Sequence, residues 1–392
     1  MPSLDGLYQP HRHTAGRAAL GCTLILSAAC AGAPGGEQAA TPVTPPNEDS
    51  APWTVDSAAP DTSDGIRVLV LHDMEGLAGQ DDWHSFDFGD PQYPHGQEML
   101  AADINAVIDG LFAGGATEVH VVDGHGSGNP DPDVRADLLD PRASQVLRDA
   151  PFDTYFDVPE TSSYDAVAVV GMHAKTGSKG FASHTFTLGM DLILNGASIT
   201  ETELVALSWG RFGVPIIFGS GDNRLAEDLR TMPWIEFVTV KTATSASSVE
   251  LRPVDEAHAD MRAAAQRAVE NLADAGVMRV REPIRAVLRA VPPASLEILE
   301  GVPGIDYVDN TVGFDASDLR TAYDGLEALI TVARNTYVRV LIEQLRERNL
   351  MDEFGPAYGE ALSMRWLDFE SERWSPPAPD GAPERRQYHG YS

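Results

Sequence analysis

Three short runs of aliphatic, largely β-branched residues in this 392-residue chain each stop abruptly in a polar loop that carries glycine. Residues 66–71 run into His72-Asp73-Met74-Glu75-Gly76, residues 118–122 into Asp123-Gly124-His125-Gly126, and residues 166–170 into Gly171-Met172-His173-Ala174. Runs of this length and composition, bounded by turn residues, read as buried strands. Between the first two, Met99, Leu100, Ile104, Val107, Ile108 and Leu111 keep a helical spacing over 97–112 until Gly114-Gly115 ends it. Residues 198–212 read as a further helix and 214–218 as a fourth strand, ending in Gly219-Ser220-Gly221-Asp222. Strand alternating with helix predicts an α/β fold: a mostly parallel sheet covered by helices on both faces. Helical patterns over 256–275 and 316–349, with a strand-like alternation at 295–299 between them, predict a smaller α+β part at the C-terminal side.

The two ends read differently. Arg12 and Arg17 precede an apolar run, 18–29, shorter than the roughly 20 residues a bilayer span needs. It closes with Leu26-Ser27-Ala28-Ala29-Cys30, and small residues before a cysteine resemble a bacterial lipoprotein signal, whose cysteine becomes the lipidated first residue. Residues 31–64 hold Gly, Pro, Thr, Ser, Ala and acidic side chains and too little apolar surface to offset the entropy of ordering. The expected organisation is therefore a signal at 1–30, a disordered tether at 31–64, a metal-binding α/β domain at 65–245, the smaller α+β domain at 246–365 and a disordered tail at 366–392. The implied location is outside the cytoplasm, facing the periplasm or cell exterior. Contact with the membrane is through a lipid on Cys30 alone.

Charge narrows the function classes. Lys and Arg number 28 against 59 Asp and Glu, a formal net charge of −31. Such a field repels phosphate backbones, so nucleic acid is not an expected partner, whereas divalent cations and ammonium groups are tolerated. Both cysteines, Cys22 and Cys30, precede the folded part. Any metal there is held by nitrogen and oxygen.

The strand ends supply those donors. In an open parallel sheet the loops at the carboxyl ends of the strands converge, so Asp73 and Glu75, His125 and His173 are expected to meet at one edge. Imidazole with carboxylate suits Zn²⁺, with Mn²⁺ and other transition ions as competitors. His72 and His120 fall beside or within strands and are expected to be buried and hydrogen-bonded; His84 and His95 are expected as exposed loop residues. The glycines at 124, 126 and 128 lack the dinucleotide-binding spacing, no Gly-x-Ser-x-Gly elbow occurs, and no Gly-Lys-Ser/Thr phosphate loop is present.

Taken in order, Asp73-Met74-Glu75-Gly76, Asp123-Gly124-His125, Gly171-Met172-His173-Ala174 and Ser183-His184 resemble the successive signatures of the zinc-dependent D-aminopeptidase family of the bacterial dipeptide-transport operon. Leu194-Asn195-Gly196 with Ile199-Thr200-Glu201 is similar to the family's next stretch, and the likeness runs over about 66–337. The resemblance implies two zinc ions held by Asp73, Glu75, His125, His173 and Glu201, a catalytic histidine at His184, short peptide substrates with N-terminal D-residues, and a homo-oligomer. On that footing Asp73 is the natural bridge between ions. His184 is expected to act as general base or to stabilise the tetrahedral intermediate. Thr200 and Thr202 stand where the family has glycine, and Glu203 is expected as a solvent-facing helix charge. Two other readings use the same residues: a dinuclear metal phosphoesterase or amidohydrolase acting on another substrate, and a non-catalytic surface lipoprotein that binds metal or solute.

Overall fold

A computed structural model describes residues 51–60, 62–148, 152–161 and 163–370. The expected signal, Cys30, the first part of the tether and the end of the tail lie outside the described residues. In chain order the first elements are β1 (Trp53–Ser57), β2 (Arg67–His72), α1 (Tyr93–Ala113), β3 (Glu118–Asp123), β4 (Ser144–Gln145), α2 (Asp157–Thr161) and β5 (Ala166–Val170). Next come β6 (Met190–Leu194), β7 (Ala197–Ser198), α3 (Glu201–Gly210), β8 (Ile216–Asp222), α4 (Asn223–Asp228), β9 (Glu236–Ser245) and β10 (Ser248–Leu251). The remainder is α5 (Val254–Glu270), β11 (Gly276–Val280), β12 (Ile284–Ala290), β13 (Tyr307–Val308), β14 (Thr311–Ala316), α6 (Leu319–Arg334), α7 (Tyr337–Glu347) and α8 (Met351–Glu370).

The main sheet has the order β10-β9-β8-β5-β2-β3-β4. Every pair in it is parallel except the β9–β10 hairpin. The expected α/β class with a mostly parallel sheet is what forms. Its strands alternate between two apolar layers. Val68 and Val70 face α1 and α5, whereas Leu69 and Leu71 face α3, α6 and the second sheet. Both faces being dry explains why these strands read as continuous apolar runs. The second sheet, β13-β14-β12-β6-β7, is antiparallel throughout.

Strand order places the site. β2 is flanked by β3 on one side and by β5 on the other, so the chain winds out one way from β2 and then returns to continue the other way. The carboxyl end of β2 is thus a switch point, where parallel α/β sheets leave a crevice. Hydrogen bonds continue past the strand ends there: Asp73 N–H donates to Val170 O at 2.9 Å, Gly124 N–H to His72 O at 2.9 Å and Met172 N–H to Ser220 O at 3.1 Å. The loops are therefore extensions of the ladder, not free connections.

Gly76 makes the tightest of these joins. Its N–H reaches Gly171 O at 2.7 Å, and a Cβ at this position would lie 2.0 Å from Met172 O. Backbone cannot yield as a flexible side chain does. Gly76→Ala is expected to destabilise the fold by at least the ~1–3 kcal/mol of ordinary overpacking and to separate the Glu75 and His173 loops. Urea melts alongside metal content check it; an alanine variant with unchanged midpoint and metal content contradicts this packing.

Several expectations differ from the structure. Trp53–Ser57, expected inside the tether, pairs antiparallel with β11, and Trp53 packs against the core. Its stability comes from a partner more than 200 residues away, which local composition does not reveal. β8 continues through Gly219-Ser220-Gly221, expected as a loop, because these small residues pass close to Met172 and Val169. Residues 295–299 hold a single 3-10 turn, Glu297–Leu299, in place of a strand. The long helix expected over 316–349 breaks between α6 and α7, and α8 runs to Glu370, into the expected tail. Among the described residues the chain after 246 stays tied to what precedes it: β10 extends the main sheet, α5 lies on α1, and β12 pairs with β6. Among the described residues no helix is long and apolar enough to cross a membrane.

Candidate metal centre

Asp73, Glu75, His125, His173 and Glu201 are all buried and come together with His184 beyond the ends of β2, β3 and β5. Asp73 and Glu75 sit on the turn that leaves β2, and Met74 N–H bonds both carboxylates, at 2.9 Å and 3.2 Å. Glu75 is held from behind by the buried Lys241, whose Nζ donates to Glu75 O at 2.6 Å and to Gln80 Oε1 at 2.9 Å. Burial brings the Lys241 ammonium down to about 7.

Glu201 enters from the other side, at the first turn of α3. Thr200 and Glu203 form a reciprocal capping box there: Glu203 N–H donates to Thr200 Oγ1 at 3.0 Å and Thr200 N–H to Glu203 Oε2 at 2.8 Å. This corrects the expectation for Glu203, which is buried, not solvent-facing, and takes a further bond from Thr231 Oγ1 at 2.7 Å. The Thr-x-x-Glu spacing was the signal for it. The box fixes the helix start and so the direction of Glu201, whose Oε2 accepts from Tyr155 Oη at 2.8 Å and Oε1 from Phe186 N–H at 2.5 Å. Nothing in the sequence marked Tyr155 or Phe186, which reach the site from separate loops.

All three histidines turn the same atom to the centre. Nδ1 of His125 bonds Asp133 Oδ2 at 2.7 Å, that of His173 bonds Ala174 O at 3.0 Å, and that of His184 bonds Ala182 O at 2.7 Å. Carbonyls and ionised carboxylates only accept, so each Nδ1 carries the proton and Nε2 is the donor atom left for a cation. His173 Nε2 stands 3.3 Å from Asp73 Oδ2 and 3.5 Å from Glu201 Oε1, and His125 Nε2 stands 3.4 Å from Glu75 Oε1. Ligands ~2.0–2.1 Å from a tetrahedral zinc are spaced by roughly 3.3 Å. The buried His173 Nε2 makes no hydrogen bond. His184 stacks on His173, ring centroids 4.0 Å apart, with its Nε2 3.8 Å from Glu75 Oε1.

The electrostatics also call for positive charge. Burial, reinforced by the neighbouring Glu75 charge, pushes the Asp73 carboxyl up to about 8. Burial opposes charge on His125 and His173 too, yet Glu75 beside the one and Glu201 beside the other raise both imidazoles well above their ordinary value. His184 is shifted the opposite way, by burial and then by the His173 charge. Three carboxylates crowded in a dry pocket are stable only when compensated. The donors form two overlapping groups, Asp73–Glu75–His125 and Asp73–His173–Glu201, within each of which the ligand atoms lie within 4.8 Å of one another. Asp73 belongs to both. A third group, Glu75–His173–His184, places His184 within reach as well. His72 is buried as expected, and His120 is half-buried, its Nδ1 2.7 Å from Tyr164 Oη. The His84 and His95 side chains are each 65% exposed and stand outside these groups.

Residues 66–328 match the profile of the peptidase M55 family, described as D-aminopeptidase. A D-aminopeptidase of Bacillus subtilis (strain 168) is 27% identical over 278 residues, which is 69% of this chain and 99% of that protein. A solved structure described as the Zn-dependent D-aminopeptidase DppA from Bacillus subtilis, a self-compartmentalizing protease, superposes with a TM-score of 0.61. It is 23% identical and covers 68% of this chain and 98% of its own.

Proposed function

The chain belongs to the M55 family of D-aminopeptidases, and from that premise we propose that it is a zinc-dependent aminopeptidase that releases N-terminal D-residues from short peptides at a two-ion centre. The observation that carries the two-ion part is the sharing of Asp73 between two donor groups of matched composition. Asp73, Glu75 and His125 would hold one ion, and Asp73, His173 and Glu201 the other. Bound there, divalent cations supply the positive charge that polarises a carbonyl and acidifies water.

The chain's own groups do the rest. Glu201, fixed at both oxygens by Tyr155 and Phe186, keeps a set direction through turnover. The rings of Tyr155 and Phe186, 5.2 Å apart, form an apolar wall beside the charged centre. Burial holds the His184 imidazole below its ordinary value, and its Nδ1 proton is committed to Ala182 O. Its Nε2 is therefore free to take the proton of the attacking water and return it to the nitrogen of the leaving peptide as the C–N bond breaks. Membership of the Glu75–His173–His184 group favours one rival role for this side chain, that of an additional ligand.

Two wider elements belong to the same reading. The relative's description as self-compartmentalizing supports a homo-oligomer. The residues ending at Cys30 support export and lipid attachment at that cysteine, which the mass of the mature N-terminus tests. The activity itself is checked with D-alanyl and L-alanyl p-nitroanilides and p-nitrophenyl phosphate, each with and without a chelator. Hydrolysis of the D-anilide, lost with chelator and regained with zinc, is expected. Preference for the phosphate ester would make the chain a phosphoesterase, and no turnover of any of the three would favour a binding protein.

A further inference from the structure

Among the three site histidines, His125 alone is backed by a carboxylate, and that carboxylate is itself elaborately held. Asp133 is 1% exposed. Its Oδ2 accepts a hydrogen bond from His125 Nδ1–H at 2.7 Å. Its Oδ1 accepts from Ser127 Oγ at 2.6 Å and from the Tyr93 hydroxyl, to which Asn129 Nδ2 donates at 2.9 Å. The main chain of Asp133 is clamped as well. Its carbonyl accepts from Gln97 Nε2 at 2.8 Å, and its N–H donates to Asp123 Oδ2 at 2.7 Å. Asp123 Oδ1 takes the N–H of His125 at 2.9 Å, so a single carboxylate ties together the histidine and the aspartate behind it. Tyr93 and Gln97 lie one turn apart on α1, which anchors the whole loop to a rigid element.

We propose that Asp133 is a positioning residue of the metal centre: it fixes the tautomer and aim of His125 and adds negative charge behind the imidazole, strengthening the hold of Asp73, Glu75 and His125 on their ion. A carboxylate behind a ligating imidazole raises its basicity, and removing such a partner typically costs 10–100-fold in metal affinity. His173 and His184 donate instead to neutral carbonyls of neighbouring residues. The two ions are therefore held unequally, and the His125 side depends on Asp133. The inference rests on the metallopeptidase reading above.

Zinc titration of the full chain against a chromophoric chelator tests it. In Asp133→Asn, which keeps shape but not charge, one of two zinc affinities falls about 10–100-fold while the other is unchanged, and excess zinc restores turnover. In a His125→Ala background the same substitution has no further effect on affinity, as required of a residue that acts through His125. Wild-type affinities for both ions in Asp133→Asn, or an equal loss in the His125→Ala background, would overturn the proposal. Tyr93→Phe removes one support of the carboxylate and gives a smaller loss at the same ion; no change there, with Asp133→Asn failing to fold, also counts against it. Wild-type protein that takes up no zinc is a different outcome, since it removes the metallopeptidase reading and this proposal with it.

Discussion

Replacing His173 by alanine is expected to strip the centre of metal and activity together. His173 Nε2 faces Asp73 and Glu201 at 3.3 Å and 3.5 Å, and its ring also stacks on His184. Alanine removes a neutral nitrogen donor and leaves Asp73, Glu75 and Glu201 crowded in a buried pocket without it. The remaining donors cannot make up the loss, because Glu201 is held at both oxygens, and Asp73 is shared with the group that contains His125. The fall in metal affinity is expected to exceed the ~10–100-fold that follows from losing a hydrogen-bond partner behind a ligand. Elemental analysis of purified protein, with kcat/KM on the D-alanyl anilide, reads both effects. His95→Ala, on an exposed side chain, serves as the control and changes neither. A His173→Ala protein that retains two ions and full turnover would remove His173 from the centre.

His184→Ala is expected to act on rate alone. The imidazole is delivered by the loop that follows the β5 edge. His184 N–H donates to Ala174 O at 3.1 Å, and Phe181 N–H is tied to Asp222 Oδ2 at 2.8 Å. Those backbone bonds remain in the alanine variant, so the loop stays in place and only the ring is lost. General acid–base assistance contributes about 10²–10⁴-fold, equivalent to roughly 2.7–5.4 kcal/mol of barrier. The variant should keep its metal and lose kcat by that order, with KM little changed. Loss of an ion would instead make His184 a ligand, in keeping with its 3.8 Å approach to Glu75 Oε1. Full turnover with metal retained would leave His184 without a part in the chemistry.

The two variants also divide what was legible in the sequence from what was not. Asp73, Glu75, His125 and His173 were readable because parallel strands all present their carboxyl ends at one edge, so residues far apart in sequence share a place once the strands are recognised. His184 and Glu201 carry no such signal, and only the family likeness pointed to them. The capping box at Thr200 and Glu203 is written in the sequence as Thr-x-x-Glu, but the same spacing also suits a glutamate that faces water from a helix start. The strand at Trp53–Ser57 was hidden for another reason. Its flanks are rich in proline and acidic residues, and its partner β11 comes more than 200 residues later.

The alternation of strand and helix, the apolar runs that must lie dry inside a parallel sheet, and the donor types at their ends are all legible in the linear chain. These are local properties, set by side-chain periodicity and by turn residues within a few positions. The folded chain sets β3 and β5 on either side of β2, and hence brings His125 and His173 to Glu75 and Asp73 from opposite sides. It also brought Tyr155 to Glu201, Lys241 to the Glu75 carbonyl and Asp133 to the back of His125. Those hydrogen bonds join residues brought together by strand order and loop path, and each is strong because its surroundings are dry, a property that exists only after the chain has closed around it.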